Sequence, residues 1–264
     1  MGFEMPITIG QAITAVQANE YVLPAIQREF VWTSEQIEKL FDSLMRGYPI
    51  GSFLFWRITP QNMQDFQFYR FMDHFHERDY RHNEPIALTN VPQATAVLDG
   101  QQRLTALNIG LKGWYAEKLP WYRWSNPLAF PEQRLYLNLL QPASGSELEY
   151  EFRMLRHAEA ANGDGKFWFR VGDVLQFSDM SDAFAYCVGE GLTASGDQYP
   201  WRTLAELWRV AKEKPLINYF LETQADLDKV LNIFIRVNSG GTPLTLVSRF
   251  LGWQERERHR PCWG

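Results

Sequence analysis

Residues 94–111 read ATAVLDGQQRLTALNIGL, and the hydrophobic pattern of this stretch changes at a single point. ATAVL (94–98) is an unbroken apolar run, typical of a strand that is covered on both faces. Asp99-Gly100 predicts a tight turn. Beyond the turn, leucines recur at helical spacing, at Leu104, Leu107 and Leu111. The stretch therefore predicts a buried strand, a turn and a helix over 101–111.

The segment upstream predicts a helix followed by a strand. Thr33 to Arg46 has apolar residues at helical spacing, Thr33 as an N-cap and Gln36 as its capping-box partner. Gly47 suits the position after the helix, and Pro49 prevents its continuation. IGSFLFWRI (50–58) then predicts a second buried strand. Two strand–helix pairs of this kind indicate a small sheet packed by helices.

The composition excludes several classes of protein. The chain has 264 residues, 45% of them hydrophobic and 15% aromatic, which is enough for a sizeable core. The formal charge of −5 argues against a broadly basic nucleic-acid-binding surface. No apolar run reaches the roughly 18 residues of a membrane span, and the N-terminus does not read as a secretion signal. Cys187 and Cys262 match no metal-ligand spacing and suit a cytoplasmic protein.

The turn at Asp99-Gly100 carries the strongest chemical pattern. A helix that starts at Gln101 exposes unpaired N–H groups and a partial positive charge, which suits a phosphate. Gly100 permits close approach of a ligand, and Arg103 offers a fork of donors. Asp99 suits a divalent cation, and Gln101 or Gln102 suits the orientation of a water. The alternative is local: Asp99 caps the helix, Gln102 completes a capping box and Arg103 forms only a salt bridge.

Two further segments offer anion-binding groups. Gln27-Arg28 supplies a planar donor, although a surface ion pair with Glu29 or Glu35 explains the arginine equally well. FIRVNSGGTPL (234–244) contains a Gly-Gly turn that can form a nest of N–H groups, or simply end one helix and begin another.

Other patterns favour structural interpretations. The stretch 73–82, rich in His, acids and Arg, fits no common metal motif and reads as a solvated mixed-charge loop. The aromatic run 114–124 favours packing of a peripheral helix over stacking on a base or sugar. No Walker A sequence, dinucleotide fingerprint, nucleophile elbow or zinc pattern is present. No paired-carboxylate and lysine arrangement of a nuclease stands out either.

Taken together, four segments resemble one family. They are IQREFVW (26–32), LFDSLMRGYPIGSFLFW (40–56), VLDGQQRLTAL (97–107) and FIRVNSGGTPL (234–244). They are similar, in sequence order, to domain of unknown function 262, the N-terminal domain of GmrSD-type modification-dependent restriction endonucleases. That family is related to the ParB and sulfiredoxin fold. Residues 113–225 match only in being long and variable.

The resemblance implies a module that binds and hydrolyses a nucleoside triphosphate and is linked to cleavage of modified or foreign DNA. The residues that match the family's nucleotide motif are Asp99, Gly100, Gln101, Gln102 and Arg103. Those that match its upstream pair and its C-terminal polar turn are Gln27, Arg28, Arg236, Asn238, Gly240 and Gly241. Family members often continue into a C-terminal HNH nuclease domain, so DNA cleavage is expected from a separate subunit or from such a domain.

We therefore expect an α+β protein with a ParB/sulfiredoxin-like small mixed sheet, packed by helices, and a mostly helical, aromatic-rich extension. The expected parts are a core (1–112), a variable region (113–225) and a C-terminal helix and turn (226–264) that complete the site. The expected function is that of a cytoplasmic, Mg²⁺-dependent NTPase module of a prokaryotic restriction or phage-defence system. Asp99 is the expected Mg²⁺ ligand.

In this interpretation Gly100 and the helix amides hold the phosphates, Arg103 and Arg28 offset charge, and a glutamine positions the attacking water. The alternative is a non-catalytic module that binds DNA or docks a partner subunit. The identity of the nucleotide and the formation of a homodimer are left open. Nuclease activity is not expected from this chain alone.

Overall fold

The computed structural model describes residues 2–25, 29–60, 63, 66–88, 91, 93–145, 147–194, 196–224, 230 and 232–233. The chain divides into two compact units, residues 1–223 and 224–264. In the second unit, the described residues are Gln224, Val230, Asn232 and Ile233. The elements given below all belong to the first unit.

The first unit contains a mixed seven-stranded sheet. Its strands are β1 (Gly2–Phe3), β2 (Tyr21–Pro24), β3 (Phe53–Arg57), β4 (Phe68–Tyr69), β6 (Pro85–Ile86), β7 (Thr95–Asp99) and β12 (Tyr219–Glu222). Strands are numbered in chain order; β5 (His74–His76) and the strands described further below belong to two smaller sheets. The strand order is β1-β12-β3-β7-β2-β4-β6. β12 is parallel to β3, and β7 is parallel to β2; the other neighbours are antiparallel.

The two strands predicted from the sequence lie side by side at the centre of this sheet. β3 and β7 pair antiparallel, with an irregularity of register between Leu54 and Phe55. Phe53 and Phe55 are both almost completely buried, as are Val97 and Leu98. An apolar strand in the middle of a sheet is covered on both faces, which explains why neither segment alternates in polarity.

Five α-helices lie in the described part of the chain. They are α1 (Ile9–Gln17), α2 (Ser34–Met45), α3 (Gln101–Lys112), α4 (Met180–Gly189) and α5 (Tyr199–Trp208). A π-helical turn, Arg209–Glu213, follows α5. The predicted cap of α2 is confirmed, since Thr33 and Gln36 form a complete capping box. None of these helices is long and apolar enough to cross a membrane.

Helix α2 carries two buried carboxylates that hold the following part of the chain. Glu38 accepts the amide of Met154 at 2.8 Å, and Asp42 accepts the amides of Glu149 and Tyr150, each at 2.9 Å. Burial raises the pKa of Glu38 above its ordinary value, against the hydrogen bonds that stabilise its ionised form. These hydrogen bonds join a core helix to the variable region. They give an acceptor to backbone N–H groups that are buried or partly buried and would otherwise lack one.

The variable region differs from the mostly helical extension expected for 113–225. Its first half forms strands: β8 (Trp114–Ala116) is parallel to β5, and β9 (Arg134–Asn138) lies between β10 (Phe152–Leu155) and β11 (Trp168–Arg170) in an antiparallel sheet. Helices α4 and α5 occupy the second half. The combination of helices and sheets confirms the α+β class, because the chain contains both throughout.

Candidate functional site

The candidate site begins where β7 ends and α3 starts. Asp99 is the last residue of the strand, and Gly100 is the N-cap of the helix, with φ 89° and ψ 7°. This left-handed conformation favours glycine. A Cβ atom at Gly100 would lie 2.2 Å from Cδ1 of the buried Phe53 ring. The turn is therefore packed tightly against β3 and requires a residue without a side chain.

The glycine at the N-cap leaves the first amides of α3 without a side-chain acceptor. The amides of Gln101, Gln102 and Arg103 also have no acceptor within the helix, because the first helical hydrogen bond joins the Leu104 amide to the Gly100 carbonyl at 2.9 Å. The alternative interpretation, in which Asp99 caps the helix and Gln102 completes a capping box, is wrong. The reason is that the strand continues through Asp99, so the cap falls one residue later.

Arg103 is anchored by the loop that precedes β3. Its guanidinium donates to the carbonyl oxygens of Ile50 and Ser52, the latter at 2.9 Å, and to Oδ2 of Asp99 at 3.3 Å. It also lies 4.5 Å from the centroid of the Phe53 ring. Burial lowers the pKa of Arg103 below its ordinary value, and Asp99 opposes that shift. Arginine is charged in proteins in general.

Close packing at Gly51 shows how tightly this arginine is held. Gly51 has φ +80°, and a Cβ atom there would lie 2.8 Å from Nη1 of Arg103. The loop and the arginine are thus fitted to each other at a position that favours glycine. The guanidinium joins the start of α3 to the start of β3 through carbonyl groups, which is a bracing role.

Gln102 joins the start of α3 to a third segment. Its Nε2 donates to the Glu29 carbonyl at 2.8 Å, and its Oε1 accepts the Val31 amide at 3.0 Å. Both ends of the amide are therefore used to hold residues 29–31. Arg28 is the residue that precedes Glu29 in the chain, so the predicted pair 27–28 is covalently continuous with a segment held against the motif.

Gln101 and Asp99 retain polar atoms for other partners. Nε2 of Gln101 donates to the Val97 carbonyl at 2.9 Å, which turns the side chain back along β7. The Asp99 side chain is 34% exposed and uses Oδ2 for Arg103. Among the described residues there is no group of three or more His, Cys, Asp or Glu side chains able to hold a metal. Asp99 therefore belongs to no such group in this part of the chain.

Six predicted site residues lie outside the described residues: Gln27, Arg28, Arg236, Asn238, Gly240 and Gly241. Their meeting with the DGQQR motif stays a prediction. A cavity of about 460 Å³ lies elsewhere, between α1 and the π-helical turn, and no residue of the motif lines it. The contacts of Arg103 with Phe53 and with the carbonyls of Ile50 and Ser52 were not predicted from the sequence. The loop before β3 that carries these residues does lie within the segment 40–56 that resembles the family.

Comparison with known proteins shows which family the chain resembles. The family model described as GmrSD restriction endonuclease, N-terminal domain, matches residues 9–247. An uncharacterized protein of Methanocaldococcus jannaschii is 36% identical over 111 residues, which cover 42% of this chain and 17% of that protein. The matched segment is thus a small part of a much longer relative.

Proposed function

Because the chain belongs to the family of GmrSD restriction endonuclease N-terminal domains, we propose that it is the nucleotide-binding, NTP-hydrolysing regulatory module of a DNA restriction or phage-defence system. The observation that carries the proposal is the left-handed Gly100 followed by three helix amides without helical acceptors. A phosphate is the anion that such a helix start binds well, because amide donors and the helix dipole act together.

The proposal divides the motif into binding and bracing groups. The amides of residues 101–103 bind phosphate oxygens, and the left-handed turn at Gly100 sets where these amides start, with room for Phe53 because glycine has no Cβ. Arg103 and Gln102 hold loop 50–52 and residues 29–31 in place around the helix start, as their hydrogen bonds indicate. Through its charge, Arg103 also lowers the energy of a phosphate nearby.

Asp99 is the group we assign to Mg²⁺, which is the cation that accompanies nucleoside triphosphates. A partly exposed carboxylate with one oxygen engaged by Arg103 suits this hard cation. Bound Mg²⁺ would supply neutralisation of charge on the phosphates. Gln101 is the better candidate to position a water, because Gln102 uses both ends of its amide internally.

Thermal shift with a panel of nucleoside triphosphates, with and without Mg²⁺, tests binding. At 100 times the dissociation constant, a ligand stabilises the fold by about 2.7 kcal/mol, or roughly 5–10 °C in a chain of this size. Asp99→Asn keeps an oxygen for Arg103 but removes the negative charge. We expect it to abolish the Mg²⁺-dependent part of the shift and to lower turnover of the nucleotide.

The matched control is Asp164→Asn, the same substitution at an exposed turn residue with φ 51°. It should leave the shift and turnover unchanged. If no nucleotide raises the melting temperature, or if both variants behave alike, the nucleotide site is not at Asp99.

One observation favours a second function, a non-catalytic module that binds DNA or docks a partner. The long side chains of Gln101, Gln102 and Arg103 all make internal hydrogen bonds, as an internal brace would. Salt-dependent DNA affinity combined with no nucleotide-dependent melting would select this function. In either case, we propose that strand cleavage belongs to a nuclease domain or subunit.

A further inference from the structure

Three aromatic side chains project into solvent from one loop of the variable region. Trp121 is 100% exposed, Trp124 47% and Tyr122 43%. Tryptophan is a costly residue to leave in water, because it exposes a large apolar surface. The three rings occur within four consecutive positions, so a single short loop exposes all three to solvent. Such surfaces on soluble proteins mark interaction sites.

The loop beneath these rings is closed by local hydrogen bonds and by one ring contact. Its ends meet through a hydrogen bond of 2.7 Å from the Leu119 amide to the Ala129 carbonyl. The 3₁₀ turn Pro127–Ala129 is capped by Asn126. Trp124 also packs edge-on against the buried Phe130, with ring centroids 5.3 Å apart. Compact loops with joined ends often carry function, because their tips are held in one conformation.

Trp121 also has an unusual backbone conformation, with φ 71°. This left-handed region is disfavoured for residues with a large side chain. A strained residue with a fully exposed ring gains no packing energy in return. Strain of this kind persists where the surrounding structure fixes it, and it is concentrated at binding sites.

The charge of the loop indicates which kind of partner it could bind. Residues 118–131 read KLPWYRWSNPLAFP and contain Lys118 and Arg123 but no acidic residue, in a chain with a net charge of −5. Arg123 is exposed, and its guanidinium contacts no carboxylate in the described part of the chain. A cation set between aromatic rings suits a partner that carries both flat rings and negative charge. Single-stranded nucleic acid has both, because unpaired bases stack on aromatic side chains while the backbone phosphates meet arginine.

We propose that Trp121, Tyr122 and Trp124 form a stacking surface for the unpaired bases of a single nucleic-acid strand, with Arg123 against its phosphates. The proposal rests on the proposed function for the presence of a DNA partner. The surface itself is argued from the loop. It makes the variable region, rather than the DGQQR motif, the part of the chain that contacts exposed bases.

Fluorescence anisotropy of a labelled oligo(dT) strand, titrated with the full chain, tests the proposal. Loss of one stacked base costs about 1–3 kcal/mol, so Trp121→Gly should weaken binding about 5- to 150-fold. Glycine accepts the left-handed backbone, so this variant removes the ring without unfolding the loop. Trp121→Phe should recover most of the affinity, because it restores a ring.

The matched control is Phe184→Ala, which removes a ring that is 48% exposed on α4. It should bind oligo(dT) like the parent chain. A strand of the same length made of abasic nucleotides should bind the parent chain at least as weakly as oligo(dT) binds Trp121→Gly, because it lacks every base that the three rings could stack on. Equal binding of the abasic strand, equal loss in Phe184→Ala, or no binding of oligo(dT) by the parent chain would overturn the proposal. Binding of a peptide instead would make this a protein-docking loop.

The outcome is separable from the nucleotide site. Trp121→Gly should keep the full nucleotide-dependent thermal shift, because the loop contributes no residue to that site. If the nucleotide shift is absent while oligo(dT) binding still depends on Trp121, the proposed function fails and the stacking surface stands. The reverse result removes the stacking surface alone.

Discussion

Replacement of Gly100 by alanine tests the geometry on which the candidate site depends. The new Cβ would lie 2.2 Å from the ring of Phe53, at a backbone φ of +89°. The left-handed conformation costs a non-glycine residue about 1–2 kcal/mol. Overpacking against a buried side chain adds about 1–3 kcal/mol. Phe53 cannot move away freely, because it packs against Phe55, with ring centroids 6.0 Å apart, and against Arg103.

The expected loss is therefore about 2–5 kcal/mol in the free energy of unfolding. For a domain of this size, that lowers the melting temperature by roughly 5–20 °C. Urea denaturation followed by circular dichroism measures the free energy directly. The loss is a substantial fraction of the roughly 5–15 kcal/mol that stabilises a typical domain, so the variant should remain folded but weakened.

Gly145→Ala separates the two contributions. Gly145 has φ +69°, and nothing lies within 4 Å of the position of its Cβ. This control carries the conformational cost of about 1–2 kcal/mol without the clash. If Gly100→Ala costs no more than Gly145→Ala, the close approach of Phe53 to the turn is refuted, and only the left-handed backbone remains as a reason for glycine there.

Two further predictions concern hydrogen bonds that hold the fold. Gln102→Ala frees the Val31 amide and the Glu29 carbonyl, which water can then reach, and should cost about 0.5–1.5 kcal/mol in urea denaturation; an unchanged midpoint would contradict the bracing role. Burial raises the pKa of Glu151, but hydrogen bonds from Lys166 and Asn138 outweigh it and leave the pKa below its ordinary 4.5. Its ionised form therefore stabilises the fold above that ordinary pKa, and this stability is lost as pH falls through the lowered pKa. Glu151→Gln should be less stable than the parent at pH 7, with the difference disappearing in acid; a difference constant with pH would refute the assignment.

The elements that the sequence predicted well are those whose signals are local. Helix α2 runs from Ser34 to Met45 within the predicted 33–46, because its capping box, its periodic apolar face and its terminating Gly47 all lie in one short stretch. Strand β3 and helix α3 were predicted for the same reason.

The features that the sequence could not supply depend on distant partners. Arg103 donates to a carbonyl 51 residues away, and Gln102 to one 73 residues away. No local pattern shows which backbone carbonyl will face a side chain, so both residues read as free donors for a ligand. The aromatic run 114–124 was expected to pack a peripheral helix, but its start forms β8 and its end an exposed loop.

The position of β12 in the sheet affects how the protein can fold during its synthesis on the ribosome. β12, at residues 219–222, lies between β1 and β3, which are translated more than 150 residues earlier. Until the ribosome has released β12, the edge of β3 that faces away from β7 has no hydrogen-bonding strand. An unpaired apolar strand can associate with other chains. Nascent chains stalled before residue 219 should therefore depend on chaperones, whereas full-length chains released from the ribosome should not.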